Sequence, residues 1–186
     1  MLNFILERQS VPLLTEPAPS QAILHTIFCA ADRAPDHGLL KPWHFLVIEG
    51  SAREKLGRIF LSAAQSLTSI PLTPEQQAKW LAMPLRAPMV IVVSARLIPN
   101  HKIPEVEQLL AVGASVQNLL LATHVCGYAA MWRTGEMAYN EKVKVELNIA
   151  PQDAIAGFIY IGSPVKSGSH KKILERSMSE FVKEWK

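Results

Sequence analysis

The fold of this chain is decided at one segment, Arg33-Ala34-Pro35-Asp36-His37-Gly38-Leu39-Leu40-Lys41-Pro42-Trp43-His44-Phe45-Leu46-Val47-Ile48-Glu49. It follows an apolar-periodic stretch typical of a helix, and it ends in a run of residues that favour a β-strand. Pro35 disfavours helix at the residue before it, and Pro42 favours an extended residue 41, so the connection is short and sterically defined. Polar loops held between rigid elements often carry binding sites, although a solvated connection is the commoner outcome for an arbitrary protein.

Outward from this segment, hydrophobic periodicity predicts an irregular alternation of helices and strands. Ser20, Ser51 and Thr73 are expected helix N-caps, and Ser51 with Glu54 has the spacing of a capping box. A short first helix is expected to turn Phe4 inward together with Ile5. The predicted helices cover residues 2–8, 20–33, about 52–63, 74 onward, 105–126 and 141–147, and the predicted strands cover residues 45–49, 89–94, 128–132 and 155–162.

The segment 105–126 gives the strongest helix signal, because its apolar residues recur almost all round, as in a buried central helix. The same surface could instead form the seam of a dimer. Gly127 is placed as the C′ glycine of this helix. Irregular alternation and few strands favour an α+β fold, a three-layer α-β-α domain with a mainly antiparallel sheet around that helix. The length fits one domain over residues 1–186, with a C-terminal arm from about residue 164 whose apolar residues have helical spacing after residue 171.

Composition excludes several classes of protein. The chain is 49% hydrophobic with a net charge of only +3, and no basic, aromatic-interleaved face indicates nucleic-acid binding. No long uncharged apolar run predicts a membrane span, and the amino-terminal residues do not resemble a signal peptide, so we expect a cytoplasmic protein. Cys29 and Cys126 lie in apolar helical contexts and are expected to be free core thiols. No metal-ligand spacing and no glycine-rich dinucleotide loop occur in the sequence.

Five stretches, in order, resemble the small flavin-dependent nitroreductases. They are Arg8-Gln9-Ser10, Arg33-Ala34-Pro35-Asp36-His37, Lys41-Pro42-Trp43-His44-Phe45, the helix from Gly113 to Ala122, and Gly127-Tyr128-Ala129-Ala130-Met131-Trp132-Arg133-Thr134-Gly135. Each stretch is weak alone, and the ordered set over about residues 5–163 resembles the minimal, single-domain branch of that family. The resemblance implies a homodimer with FMN at the subunit interface, and NAD(P)H as a transient reductant that transfers hydride to the flavin before a small oxidised acceptor takes its place.

The same resemblance implies which residues bind the cofactor. It places the phosphate and ribityl chain at the first and last motifs, and it places the flavin ring near the proline-containing loop. The expected FMN-binding residues are Arg8, Gln9, Ser10, Arg33, His37, Trp132, Arg133 and Thr134. The candidates for nicotinamide contact are Ala122, Thr123, His124, Val125, Cys126 and Gly127. No catalytic side chain is assigned with certainty, because the flavin carries the chemistry, and His37 is the one candidate for a role at the ring.

Some of these residues also have an interpretation in which they support the fold and bind no cofactor. Arg8 could be a solvated cation near a helix C-terminus, and His37 could be a turn residue that bonds within its own loop. His124 could be a packing residue of the central helix. Arg133 is harder to explain in this way, because it ends a strand that looks buried, and a buried cation needs a partner.

Three departures from the family pattern lead to an alternative hypothesis about the function. Gln9 stands where a second arginine is common, Pro12-Leu13-Leu14 lacks a further arginine, and Lys41 replaces a glutamine before Pro-Trp. The first two reduce the positive charge expected near the phosphate, and Lys41 either compensates or alters what binds above the ring. The main hypothesis is an FMN-dependent NAD(P)H oxidoreductase that reduces nitroaromatic, quinone or similar acceptors. The alternative is a degenerate member that binds flavin weakly and has a non-catalytic role.

Overall fold

Five strands form one antiparallel sheet in the computed structural model, which describes residues 2–165 and 176–186. The strand order is β1-β5-β3-β2, and β4 also pairs with β5. The predicted strands are all present, with ends shifted by no more than two residues, and the short β1 is not among the predicted strands. The strands are β1 (Leu14–Thr15), β2 (Trp43–Glu49), β3 (Met89–Ala95), β4 (Ala129–Arg133) and β5 (Ala154–Pro164).

Helices cover both faces of the sheet, so the predicted three-layer α+β architecture is confirmed. On one face, Ile91 and Val93 of β3 pack with α2 and α5, and on the other face Val90 and Val92 pack with α3 and α6. No helix in the described residues is long and apolar enough to cross a bilayer. The helices are α1 (Leu2–Glu7), α2 (Gln21–Ala31), α3 (Ala52–Ser66), α4 (Pro74–Ala82), α5 (Glu105–Val125) and α6 (Glu141–Glu146), and 3₁₀ turns lie at His37–Leu39, Met83–Arg86, Glu136–Tyr139 and Met178–Glu180.

Two of the three predicted helix caps form. The Ser20 hydroxyl accepts from the Ile23 amide, and Thr73 forms a reciprocal capping box with Gln76. The capping box predicted at Ser51 is wrong. Ser51 already has helical backbone angles (φ −67°, ψ −18°), so its side chain is not aimed at the amides of the first turn and makes no cap bond.

The central helix α5 is buried on one side only, which corrects the expectation of a helix enclosed all round. Val112, Val116 and Leu119 are fully buried against the sheet and α2. Leu110 is 67% exposed, and Val106 and Leu109 are exposed with it. The described chain therefore covers one face of α5 and leaves an apolar face to solvent.

Three further expectations differ from the structure. Phe4 is 45% exposed and Ile5 52% exposed, because α1 packs mainly against the end of α5, which leaves these side chains largely uncovered among the described residues. The free cysteines are not both core residues, since Cys29 is exposed on the outer face of α2 and Cys126 is half-buried. Part of the predicted helical tail lies outside the described residues, and residues 176–186 contain only a 3₁₀ turn.

Candidate functional site

A cleft with a cavity volume of about 150 Å³, partly open to solvent, lies where the chain leaving α1 runs beside β4. Ser10 pairs with Ala130 in a parallel bridge, and the Val11 amide donates to the Ala130 carbonyl at 3.1 Å. We call this the Arg8 cleft, and it brings four predicted site residues together, Arg8 and Gln9 from the amino-terminal motif and His124 and Gly127 from the end of α5. Its lining is Glu7, Arg8, Gln9, Val11, Leu120, His124, Gly127, Tyr128, Ala129, Ala130 and Pro164.

Of the six nicotinamide candidates at the end of α5, only His124 and Gly127 line the Arg8 cleft. The His124 ring lies edge-on to Phe4, with ring centroids 6.3 Å apart. Gly127 has φ +83°, a left-handed C′ conformation that lets the chain turn directly from α5 into β4. Thr123 is fully buried and donates its hydroxyl to the Leu119 carbonyl, so its side chain does not reach the cleft. Ala122, Val125 and Cys126 also lie outside the lining.

The far end of β4 carries the second motif. The Trp132 indole donates to the Ala156 carbonyl at 3.0 Å, and the Arg133 guanidinium lies 5.8 Å from the centre of the Tyr160 ring. Arg133 is half-buried and does not line the Arg8 cleft. It lines two other clefts, the Arg86 cleft, bounded by residues 12–15, Arg86, Arg133 and Val165, and the Trp80 cleft, which also contains Thr134. The structure thus does not bring Arg8 and Arg133 into one cleft.

The proline-containing loop is held by Asp32. Its carboxylate accepts from the Lys41 ammonium at 2.5 Å and from the Trp43 indole at 3.1 Å. These bonds, first from Lys41 and then from Trp43, hold the pKa of Asp32 below its ordinary value. The Lys41 amide also donates to Asp36 at 2.6 Å. The ammonium of Lys41 is therefore engaged within the loop, which argues against its acting as a spare charge for a cofactor.

Arg33 and His37 are exposed on this loop, away from the Arg8 cleft. The nearest carboxylate to His37 is Glu107 in the first turn of α5, with Nδ1 and Oε2 3.9 Å apart. His124 lies in the last turn of the same helix. Seventeen residues of α-helix span about 25 Å, so the two groups of predicted site residues lie at opposite ends of α5.

The cations of the two motifs suit a phosphate. No residue within 2–165 or 176–186 forms an ion pair with Arg8 or Arg133, although five other ion pairs occur there. Guanidinium groups without a carboxylate partner are available for charge-assisted bonds to a phosphate, so the residues present fit the phosphate end of a flavin nucleotide. The described residues contain no group of three His, Cys, Asp or Glu that could hold a metal ion.

Comparison with known proteins gives the family. A model of the nitroreductase family matches residues 5–163. The chain belongs to the nitroreductase family. The Escherichia coli K12 protein named "Putative NAD(P)H nitroreductase YdjA" is 35% identical over 163 residues, which cover 88% of this chain and 87% of that protein. A Haemophilus influenzae protein named "Putative NAD(P)H nitroreductase" is 33% identical over 91% of each chain.

Solved structures show the same fold. A nitroreductase-like protein from Bacillus cereus superposes with a TM-score of 0.84 at 26% identity, covering 99% of this chain and 95% of its own. A Desulfovibrio desulfuricans protein, described as a "putative nitroreductase in complex with FMN", superposes with a TM-score of 0.74 at 25% identity, covering 100% and 96%. The family and fold predicted from the sequence are confirmed.

Several residues of the site were not found from the sequence. Asp32 gives no motif signal, because its bonds to Lys41 and Trp43 exist only once the loop has closed. Tyr128, just before β4, and Pro164, at the end of the neighbouring strand β5, both line the Arg8 cleft. Arg86 joins Arg133 in a cleft although the two are distant in sequence. Such contacts depend on tertiary structure, so no local pattern predicts them.

Proposed function

We propose that this protein is an FMN-dependent NAD(P)H oxidoreductase that reduces small nitroaromatic, quinone or similar acceptors. One observation carries the proposal: the Arg8 cleft places Arg8 and Gln9, expected at the flavin, beside His124 and Gly127, expected at the nicotinamide. The related Desulfovibrio desulfuricans structure is a complex with FMN, and the Escherichia coli relative is named as an NAD(P)H nitroreductase, which supports both as ligands of this chain. When bound, FMN would supply the hydride-accepting and hydride-donating chemistry.

The chain's own residues would bind and orient the cofactor. Arg8 and Arg133 line two neighbouring clefts, the first reaching Val11 and Pro164 and the second beginning at Pro12 and Val165. Their guanidinium groups would neutralise phosphate charge from these two sides, and Ser10 would offer a hydroxyl beside β4. Gln9, next to Arg8, and Trp132 and Thr134, on either side of Arg133, complete the set of expected FMN-binding residues. Arg33 and His37 would approach the flavin ring from the proline-containing loop, where a positive charge or a donor stabilises negative charge on the reduced ring.

A homodimer resolves the separation of these two groups. Within one chain they lie about 25 Å apart along α5, and the exposed apolar residues Val106, Leu109 and Leu110 lie in the first two turns of α5, near the Arg33 and His37 loop. At the other end of α5, where the Phe4 ring lies edge-on to His124, the exposed side chains of Phe4 and Ile5 form a second apolar surface. A two-fold axis across α5 would set the amino-terminal end of one copy beside the carboxyl-terminal end of the other. Each FMN would then be held by the Arg8 cleft of one subunit and the Arg33 and His37 loop of its partner.

The mechanism follows from a single shared cleft. Because the candidate residues for flavin and nicotinamide line the same cleft, NAD(P)H and the acceptor would use it in turn. Steady-state turnover should give parallel double-reciprocal lines as NAD(P)H is varied at several acceptor concentrations. Intersecting lines with a measurable ternary complex would refute the shared cleft.

His37 provides a residue-level test of the ring assignment. If it acts at the ring, His37→Ala should slow flavin reduction in stopped-flow measurements more than it weakens FMN binding. His25→Ala is a suitable control, because His25 is exposed on α2 and its side chain contacts Cys29, outside the proposed site. An unchanged reduction rate in His37→Ala would leave His37 as a turn residue only.

A further inference from the structure

Two arginines meet at the far end of β4. Arg86 ends the 3₁₀ turn Met83–Arg86, and Arg133 is the last residue of β4. Both line the Arg86 cleft, an open cleft with a volume of about 550 Å³. The opposite wall is apolar and comes from Pro12, Leu13 and Leu14. Among the described residues, no Asp or Glu lines this cleft.

Tyr160, on the neighbouring strand β5, lies beside Arg133. Arg133 lies over the Tyr160 ring, with its guanidinium carbon 5.8 Å from the ring centre. Burial raises the pKa of Tyr160, and the charges of Arg86 and Arg133 both oppose that rise. The cleft that both arginines line brings them together, and the charge of each also lowers the pKa of the Tyr160 phenol.

Neither arginine is neutralised by the protein. Within residues 2–165 and 176–186, neither side chain forms an ion pair or a hydrogen bond, in contrast to Arg53, which donates to two carbonyls. Glu136 lines the adjoining Trp80 cleft without pairing with Arg133. Two like charges near one another destabilise the site unless an anion binds between them, and the apolar wall strengthens their field.

We propose that Arg86 and Arg133 form a phosphate-binding site, an assignment that rests on the proposed function. Paired guanidinium groups match phosphate oxygens through two parallel hydrogen bonds each, whereas a neutral ligand would leave both charges uncompensated. The phosphate comes either from FMN or from the pyrophosphate of NAD(P)H. Arg86 lies outside every motif that pointed to the cofactor.

The first arm of the test uses flavins that differ only in the phosphate. FMN and riboflavin are titrated into the wild type, Arg86→Gln and Arg58→Gln, with flavin fluorescence as the readout. Arg58 is an exposed arginine on α3 outside the cleft, so its variant matches the charge change. If the site binds the flavin phosphate, Arg86→Gln weakens FMN binding roughly 10- to 100-fold, the effect of one charge-assisted bond, and leaves riboflavin binding unchanged. Arg86→Lys should recover part of the loss.

The second arm separates the nucleotide from the flavin. With FMN saturating, a site for the NAD(P)H pyrophosphate predicts a raised KM for NADPH in Arg86→Gln at unchanged kcat, and an unchanged ratio of FMN to riboflavin affinity. Normal flavin affinities together with a normal KM in Arg86→Gln would overturn the proposal.

A third arm keeps the test independent of the proposed function. If the wild type binds neither flavin, the oxidoreductase proposal fails, and inorganic pyrophosphate becomes the probe. Thermal stabilisation by pyrophosphate that is present in the wild type and in Arg58→Gln, but absent in Arg86→Gln, would still support the site. Equal stabilisation of all three, or of none, would overturn it.

Discussion

Gly157→Ala should destabilise the protein and disturb the residues beside Arg133. Gly157 lies in β5 with φ +156°, and a Cβ there would lie 2.6 Å from Trp132 Cδ1 and 2.9 Å from the Arg133 carbonyl oxygen. The Trp132 indole cannot move away freely, because it donates to the Ala156 carbonyl at 3.0 Å. Overpacking of this kind costs about 1–3 kcal/mol, and loss of the indole bond adds about 0.5–1.5 kcal/mol. We therefore expect a decrease of roughly 2–4 kcal/mol in the free energy of unfolding.

A double-mutant cycle identifies the cause. Urea denaturation followed by circular dichroism, at one protein concentration, gives the free energy of unfolding of the wild type, Gly157→Ala, Trp132→Ala and the double variant. Removing the indole removes most of the clash, so Gly157→Ala should cost at least about 1 kcal/mol less in the Trp132→Ala background. An effect of Gly157→Ala below about 0.5 kcal/mol, or strict additivity in the cycle, would refute the proposed close packing of Trp132 on Gly157.

Three further predictions address the site, the dimer and the loop. Arg133→Ala should raise the dissociation constant of FMN roughly tenfold or more in a fluorescence titration, and the exposed Arg33→Ala should raise it less; equal or reversed losses would contradict the assignment of the phosphate end. Leu110→Glu should give a monomer by light scattering, whereas Val145→Glu, which charges an exposed apolar residue on α6, should not; a dimer that survives Leu110→Glu would remove α5 from the interface. The pKa of Asp32 is lower in the folded state, so its stabilisation is complete above the unfolded pKa and lost as pH falls through the folded value. Asp32→Asn should therefore flatten the decline in urea midpoint below about pH 4, and a decline as steep as that of the wild type would exclude Asp32 as its source.

Local sequence patterns predicted the elements of this fold because their signals are local. The Thr73 cap, the proline after it and the glutamine that completes the capping box all lie within one turn of helix. Gly127 could be placed as a C′ glycine from its position after an apolar helix. The predicted cap at Ser51 does not form, because the tight turn from Gly50 sets the backbone conformation of Ser51.

Burial was harder to predict, because it depends on which elements meet. The apolar residues of α5 indicate that the helix has apolar faces. Their pattern does not distinguish a face covered by the sheet from one left exposed by this chain. Phe4 and Ile5 illustrate the same limit, since their spacing shows an apolar face and not its partner.

The residues of the candidate site were predicted from resemblance, and their arrangement was not. Arg8 and His124 line one cleft, whereas Arg133 lines another and His37 lies at the opposite end of α5. The spacing of the motifs in the sequence does not predict how far apart these side chains lie, because the distances depend on how the sheet and the helix pack together. Arg86 is part of the second cleft for the same reason and belongs to no motif.

The central claim is that the protein binds FMN at an interface between two copies of this chain. Light scattering coupled to size-exclusion chromatography, with absorbance recorded in the flavin bands, tests it directly on protein incubated with FMN. We predict one FMN per chain eluting with a particle of twice the 20.6 kDa chain mass. FMN carried by a 20.6 kDa monomer, or a dimer that elutes without flavin after incubation, would contradict the account.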